Sequence, residues 1–170
     1  SPLANDWESI ISWRSSIESE VYAAVNPLDS SNIIVSPISM DPQSMTEVFY
    51  CPVYYTTDFG KSWQASSFRT KPLRDDLYVM GGGDPAVIFD TKGRAYLTWL
   101  SLSMSFSGMM PDSMFWSFFW TYSDDGGKSW NYPADPIMEN FEMDYITQQY
   151  SGDGLPDKEW LAADRSGGKF

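Results

Sequence analysis

Three acidic side chains occupy related places in the chain and have the chemistry for a shared site. Short apolar segments that end in Asn or Asp recur at residues 23–26, 87–90 and 163–164. With these segments aligned, Glu20 is level with Asp84, and the third equivalent place falls at Lys158, beside Asp157. Carboxylates are hard oxygen ligands for Ca²⁺ and act as general acid or base at a glycosidic bond. The alternative is structural: each one caps the start of a strand and hydrogen-bonds its own turn.

A repeated octapeptide indicates which elements would position these carboxylates. It reads Ser/Thr-x-Asp-x-Gly-x-Ser-Trp, and its matched positions include Thr56, Asp58, Gly60 and Trp63 in one copy and Ser123, Asp125, Gly127 and Trp130 in the other. An aspartate two residues before a glycine suits a tight turn, because the carboxylate accepts backbone N–H groups and glycine supplies a positive φ. The Trp is expected to fold back as an apolar plug beneath the turn. Aromatic runs at 53–55 and 118–122 precede the two copies, so each unit reads as strand, turn, strand. Both aspartates are predicted to be structural.

The two octapeptides resemble Asp-boxes, also called BNR repeats, which lie at outer-strand turns in sialidases and other β-propeller proteins. Residues 83–99 are similar to the innermost hairpin of such a blade, and residues 157–170 to the start of the next. The resemblance is to secreted bacterial sialidase-like proteins and covers residues 18–170. It implies an all-β fold, a β-propeller of four-stranded antiparallel blades.

The repeats predict the organisation of the chain. An N-terminal segment (1–17) precedes blade one at about 20–68, blade two at about 84–136 and the start of blade three at about 157–170. Strands are expected near 21–25, 33–38, 52–56 and 63–68, and again near 86–90, 95–102, 115–122 and 129–132. Residues 137–156 are predicted to be an acidic, irregular connection. The run of glycines at 81–83 is predicted to be a flexible approach to blade two.

Two blades and part of a third are fewer than a closed propeller requires. Propellers close with about four to eight blades. An open pair of blades exposes sheet faces and strand edges, which favour aggregation or completion by another chain. The chain is therefore predicted to be an N-terminal portion of a larger propeller, with the remaining blades in the same polypeptide or in a partner.

The Met-, Phe- and Trp-rich stretch at 95–122 is predicted to form strands and not a membrane span. Apolar residues alternate with serines at 100–106, and aromatic residues recur at every second position of 116–122, where Phe119 alone breaks the polar side. This is the period of a strand. Gly108, Pro111 and Asp112 interrupt any continuous apolar run. Residues 107–112 are expected to form a loop with exposed methionines.

Composition excludes some partners. The 170 residues carry a net charge of −12 with no histidine, a balance that repels nucleic acid and anionic membranes. Nucleic acid binding and membrane insertion are therefore not expected. Cys51 is the single cysteine, so an internal disulfide is impossible, and burial as a small apolar residue is expected. The N-terminus lacks a basic start and an apolar core, so the chain is expected to be a mature product or an excised piece.

The resemblance also implies where a site would lie. Innermost strands of a propeller surround a central axis, so Glu20, Asp84 and Asp157 would converge at one axial opening. This makes them candidate ligands for Ca²⁺, although no cofactor is required by the fold. Asp84 is the candidate catalytic acid or base, and no other catalytic role is carried over.

The sialidase motifs that bind and cleave sialic acid are not matched in this chain. Sialidases hold the substrate carboxylate with three arginines and use a tyrosine paired with a glutamate as nucleophile. The N-terminal Arg-Ile-Pro element of the family is absent, and the context of Arg14 differs from it. The arginines that remain fall in predicted loops or turns: Arg69, Arg74, Arg94 and Arg165.

The sequence thus predicts a secreted or cell-surface Asp-box propeller that acts on or binds extracellular glycans. If it is an enzyme, the resemblance implies a glycoside hydrolase of exo-sialidase type. The alternative is a non-catalytic binding or assembly propeller, completed by further blades or a partner chain. Its loops near 105–114 and 137–156 would then recognise a glycan or a surface protein.

Overall fold

The computed structural model describes residues 9–12, 16–41, 43, 49–70, 74–132, 138–151, 157–158 and 160–164. Every helix or strand assigned in these ranges is a β-strand, and every strand pair is antiparallel. The predicted all-β class is therefore confirmed. The described ranges contain no helix with the length and apolar character needed to cross a membrane.

The first sheet contains five strands: β1 (Ile17–Asn26), β2 (Asp29–Met40), β3 (Phe49–Tyr50), β4 (Tyr54–Thr56) and β5 (Gln64–Ala65). Their order is β1-β2-β4-β5, and β3 pairs with the far end of β2. β3 and β4 lie along the same edge of β2, where residues 51–53 separate them. The strand predicted near 52–56 is therefore β4, and β3 is a further short strand before it.

The second sheet is longer, with β6 (Tyr78–Phe89), β7 (Ala95–Ser107), β8 (Met110–Ser123), β9 (Met138–Asp144) and β10 (Tyr150–Ser151) in the order β10-β9-β8-β7-β6. The β7–β8 hairpin follows the alternation of apolar and small polar residues in the sequence, which sets opposite faces at successive positions. Its two strands pair from Ala95–Ser123 to Ser107–Met110. The stretch at 95–122 is therefore a β-hairpin, as predicted.

One core joins the two sheets, because β1 and β2 pack against β6. Apolar side chains from facing strands meet there, including Ile34, Cys51, Val53, Tyr55, Val87, Phe89, Leu97, Trp99 and Phe119. Trp99 is fully buried, stacks on Phe119 at 5.6 Å and meets Phe68 edge-on at 4.9 Å. Cys51 is buried, as expected. Burial of each large side chain contributes about 1.5–3 kcal/mol, so this core holds the two sheets in a fixed arrangement.

The structure corrects four predictions about the second sheet. Residues 138–144 and 150–151 are strands β9 and β10, although 137–156 was predicted to be irregular. β6 starts at Tyr78, so the glycines at 81–83 belong to a strand and not to a flexible approach. Residues 108–109 alone form the turn of the β7–β8 hairpin, within the longer loop that was predicted, and Met109 is 96% exposed. The strand expected near 129–132 is a single bridge between Tyr122 and Asn131.

The physical reason for these corrections is cross-strand pairing. β8 extends well beyond the predicted start of its strand, and β9 uses that extension as a template, with Met114 opposite Met143 and Trp116 opposite Phe141. Residues 139–144 form a strand although several of them are polar, because the neighbouring strand β8 pairs with them through backbone hydrogen bonds. The pairing partner is distant in sequence, so local composition did not reveal it.

Candidate functional site

The first octapeptide forms a closed turn built from its own side chains. Thr56 Oγ1 accepts hydrogen bonds from the backbone N–H groups of Asp58 (3.2 Å) and Gly60 (3.0 Å). The Asp58 carboxylate accepts from the backbone N–H of Ser62 at 2.9 Å and from its hydroxyl at 2.6 Å. Hydrogen bonds from Ser62, together with one from Thr56, lower the pKa of Asp58 to about 2. This carboxylate is engaged in holding the turn.

The second octapeptide repeats the same geometry. Ser123 Oγ accepts from the backbone N–H of Gly127 at 2.9 Å, and Asp125 accepts from the backbone N–H of Ser129 at 2.9 Å. Partial burial raises the pKa of Asp125, but the hydrogen bonds from Ser129 and Ser123 outweigh it and leave the pKa below its ordinary value. Two turns of matching geometry in two sheets show that the pattern is a structural unit.

The Trp that ends each octapeptide behaves differently in the two copies. Trp130 is buried beneath its turn, donates its indole N–H to Ser66 Oγ at 2.8 Å and meets Phe68 edge-on. Trp63 is only half-buried and donates to Ser9 Oγ. The prediction that the Trp packs beneath its turn is therefore confirmed for Trp130. Trp63 is less buried than predicted. The difference arises because residues of the first repeat cover Trp130, and the described part of the chain has no earlier sheet to cover Trp63.

Contacts between the repeats also fix the second turn. Asn32 on β2 donates from one Nδ2 to the carbonyl oxygens of Thr56 (3.0 Å) and Gly126 (2.9 Å). Ser66 Oγ donates to the carbonyl oxygen of Gly127 at 2.6 Å. Since Asn32 is 3% exposed, these bonds replace water for groups that would otherwise be unpaired. These contacts hold the second turn in a fixed position against the first sheet.

A positive φ recurs at the three related positions named from the sequence, and β-bulges lie at two of them, Glu20 and Asp84. Glu20, Asp84 and Lys158 all have positive φ, at +47°, +47° and +31°. The pairing of β1 with β2 shifts between Ser19 and Tyr22, and that of β6 with β7 shifts between Gly83 and Ala86. A bulge re-aims the side chain of the extra residue, and a positive φ is unfavourable for residues other than glycine. The same irregular backbone therefore recurs at each of the three places.

The side chains at these three positions line one pocket of about 320 Å³. Lys158 Nζ lies 3.3 Å from Glu20 Oε2, and both side chains are a little over half exposed. Asp84 and Pro85 line the pocket beside them, with Tyr22 and Trp160 on the apolar side. The structure thus brings Glu20 and Asp84 together, as the alignment of the repeats suggested. Asp157 is exposed and lies close enough to affect Asp84 electrostatically.

The surroundings of Asp84 in the pocket raise the pKa of its carboxyl group. Burial raises its pKa, and so does the negative charge of Glu20, while the Lys158 ammonium partly offsets both. The charge of Asp157 and a hydrogen bond with Glu20 raise the pKa further. A carboxyl group whose pKa is raised by burial and by a neighbouring negative charge is a common feature of acid and base sites.

Aromatic rings form the apolar wall of the pocket. Tyr22 and Trp160 meet edge-on with centroids 5.7 Å apart, and Trp160 is 71% exposed. An exposed indole beside carboxylates offers a flat apolar surface next to hydrogen-bond acceptors. The sequence interpretation had assigned no role to Tyr22, Trp160 or Lys158. Trp160 lies two positions after Lys158, as Tyr22 lies two positions after Glu20, and this spacing is the signal that would have found both rings.

The arginines that the structure describes are used elsewhere. Arg94 pairs with Asp124 at 2.6 Å and lies over the Tyr122 ring, and Arg74 pairs with Asp76. Arg69 donates to the carbonyl oxygen of its neighbour Phe68. Among the described residues, no arginine lines the pocket of Glu20, Asp84, Lys158 and Trp160, which we call the charged pocket. Arg14 and Arg165 lie outside the described residues.

The predicted Ca²⁺ site has no matching cluster in the described ranges. Within them, no group of three or more Asp, Glu, His or Cys side chains is arranged to hold a metal ion. Glu20 is paired with Lys158, which competes with a cation for its carboxylate. The calcium site stays a prediction from the sequence.

Comparison with known proteins gives a distant likeness. No protein-family model matches the sequence, and no curated protein matches it. One solved structure, described as "Hadza microbial sialidase Hz136", is 11% identical to this chain with a TM-score of 0.34. The match covers 72% of this chain and 34% of that one, so this chain spans about a third of the length of that structure. No residue role is transferred from it.

Proposed function

We propose that this chain is part of a sialidase-like Asp-box β-propeller that binds extracellular glycans at the pocket formed by Glu20, Asp84, Lys158 and Trp160. The two turns with the Asp-box pattern, the repeated bulges and the packing of one sheet on the next support the propeller assignment. A location outside the cell, secreted or on the cell surface, is proposed from the resemblance of those turns to secreted proteins.

The observation that carries the proposal is the mixed chemistry of the pocket. Its carboxylates accept hydrogen bonds from hydroxyl groups, the Lys158 ammonium donates, and Trp160 offers an exposed apolar ring. A sugar presents both kinds of surface, hydroxyl edges and an apolar ring face, and concave sites with a few polar groups beside aromatic rings suit such ligands. Asp84, with its raised pKa, is the group that would donate a proton if a glycosidic bond is cleaved.

A glycan array that carries neutral, amino and sialylated oligosaccharides tests the proposal, with titration calorimetry on each ligand found. We expect Trp160→Ala and Asp84→Asn each to weaken binding about tenfold, which corresponds to 1.4 kcal/mol. Trp63→Ala is the matched control, because Trp63 is also a partly exposed indole but lies in the first Asp-box turn. An array without ligands, or ligands whose affinity the two pocket variants leave unchanged, would contradict the proposal.

Hydrolysis is tested on the same ligands. Release of a reducing sugar that Asp84→Asn abolishes would make the protein a glycoside hydrolase with Asp84 as its acid. Binding without release, at protein concentrations comparable to the substrate, would make it a lectin-like module.

A second candidate, an assembly propeller completed by further blades or a partner chain, is favoured by the open face of the first sheet. Tyr22 and Ala24 pack against the core, whereas Val21 and Val25 on the opposite face are 60% and 50% exposed. Exposed apolar sheet faces invite association. Sedimentation velocity should show concentration-dependent association that Val25→Lys reduces; a monomer over the whole concentration range would contradict this candidate.

A further inference from the structure

A second groove opens next to the charged pocket, and Glu20 lines both. Its volume is about 290 Å³, and its floor is the glycine run 81–83 of β6. Apolar side chains form the walls, among them Phe49 from β3, Leu102 from β7 and Trp116 from β8. The groove and the pocket are therefore neighbours, with Glu20 between them.

The three glycines of the floor have different reasons to lack a side chain. A Cβ on Gly81 would meet the backbone oxygen of Phe49 at 3.0 Å, and one on Gly82 would meet the backbone oxygen of Leu100 at 3.1 Å. Both are needed for close packing of β6. A Cβ on Gly83 would have only Ile38 Cδ1 within 4 Å, at an ordinary contact distance of 3.8 Å. Packing does not require glycine at 83, and any larger side chain there would project into the groove.

The walls of the groove match the apolar face of a sugar ring. Phe49 is 46% exposed, and Trp116 and Leu102 are half-buried. The carboxylate of Glu20 stands at the boundary with the charged pocket, where it could accept a hydrogen bond from a hydroxyl of either of two adjacent rings.

We propose that the glycine-floored groove is a second sugar subsite, so that the ligand is an oligosaccharide of at least two units and not a single terminal sugar. This inference rests on the glycan-binding function proposed above. One ring lies against Trp160 in the charged pocket, and the next lies over Gly83 against Phe49 and Trp116. Glu20 serves both rings.

Three matched pairs of probes test the second subsite by titration calorimetry: glucose and cellotriose, N-acetylglucosamine and its β-1,4-linked trimer, and free sialic acid and sialyllactose. We expect at least one trisaccharide to bind about tenfold more tightly than its monosaccharide, as an additional subsite contributing 1.4 kcal/mol would give. Gly83→Val should remove this advantage and leave the monosaccharide affinity unchanged. Gly83→Ala should reduce it by less, since a single methyl group occupies less of the groove.

The outcomes separate the two proposals. If trisaccharides bind no better than monosaccharides, or Gly83→Val leaves the advantage intact, the second subsite is overturned. Glycan binding itself still stands in that case provided that Asp84→Asn weakens it. If none of the six probes binds, the second subsite is overturned for these sugars, and the glycan array decides whether glycan binding itself stands. Gly108→Asn, which alters a glycine outside the groove, and thermal unfolding of each variant control for damage to the fold.

Discussion

Glu20 and Asp84, one repeat apart, have the same backbone φ of +47° in the same kind of β-bulge. In each case two residues of the first strand stand opposite a single residue of its partner, Pro37 for β2 and Trp99 for β7. A backbone conformation that is costly for a side-chain-bearing residue persists only where the surroundings hold it in place. Both residues line one pocket, which is why we regard the bulges as the feature that builds the site.

The backbone cost at Glu20 should be measurable by paired substitutions. We expect Glu20→Gly to be more stable than Glu20→Ala by about 0.5–1 kcal/mol, because glycine avoids the left-handed penalty but loses more entropy on folding. Both variants lose the ion pair with Lys158, and this loss therefore cancels when their free energies of unfolding are compared. Urea unfolding gives the difference.

Ser19 provides the matched control for that measurement. It precedes Glu20 on β1 and is exposed, and its φ is not among the positive values. There Gly should be less stable than Ala, the usual order in a strand. The same order at both positions would contradict the strained backbone at Glu20.

Asp84 should make the stability of the protein depend on pH in an unusual direction. Its pKa is raised above the ordinary 3.8, first by burial and then by the charge of Glu20. The folded state therefore binds the proton more tightly than the unfolded state. The stabilising effect of protonation is present in full below 3.8 and is lost as pH rises through the higher folded-state pKa.

Asp84→Asn removes the free-energy cost of holding an ionised carboxylate beside Glu20, because the amide stays neutral. We expect the variant to have a higher melting temperature than the wild type at pH 7 and a similar one in strongly acidic buffer. Asp76→Asn, which removes an exposed carboxylate paired with Arg74, controls for net charge. A wild type that is more stable than Asp84→Asn at neutral pH would show that the carboxylate is stabilised by its partners and not penalised.

The turn of the second octapeptide should tolerate no side chain at Gly127. Its φ is +95°, and a Cβ would stand 2.8 Å from Ile34 Cδ1 and 3.4 Å from Tyr55 Cβ. Gly127→Ala is expected to destabilise the protein by about 2–5 kcal/mol, from left-handed strain and overpacking together. Gly108→Ala separates the two causes, since Gly108 has a φ of +65° and no atom within 4 Å of its Cβ position. That variant should lose only about 1–2 kcal/mol, and equal losses in chemical denaturation would refute packing as a cause.

Local sequence patterns predicted the parts of this fold that are held by local contacts. The Thr56–Asp58 and Ser123–Asp125 turns close through bonds within the octapeptide, so their spacing was sufficient to identify them. The equivalence of Glu20 and Asp84 was also readable, since each precedes a similar apolar segment at the same distance.

Features held by distant contacts were not predictable in the same way. β9 is a strand because β8 pairs with it, and Trp130 is a buried plug because Ser66 and Phe68 cover it. The role of Lys158 depends on Glu20, which lies far from it in sequence. In each case a repeat or a strand outside the local segment supplies the partner, and the residue types alone do not indicate which partner that is.

The turn of the first octapeptide should contribute to the acid sensitivity of the protein, with the opposite sign to Asp84. Hydrogen bonds from Ser62, and then from Thr56, lower the pKa of Asp58 from 3.8 to about 2. A lowered folded-state pKa gives stability that is present above 3.8 and is lost as pH falls through about 2. Asp58→Asn cannot be ionised, so we expect it to melt at a lower temperature than the wild type at pH 7, with the gap closing as the pH approaches 2. Melting temperatures of both proteins from pH 2 to 7, with Asp76→Asn as the charge control, provide the measurement. A gap that stays constant over this range would mean that Asp58 acts through the shape of its side chain and not through its charge.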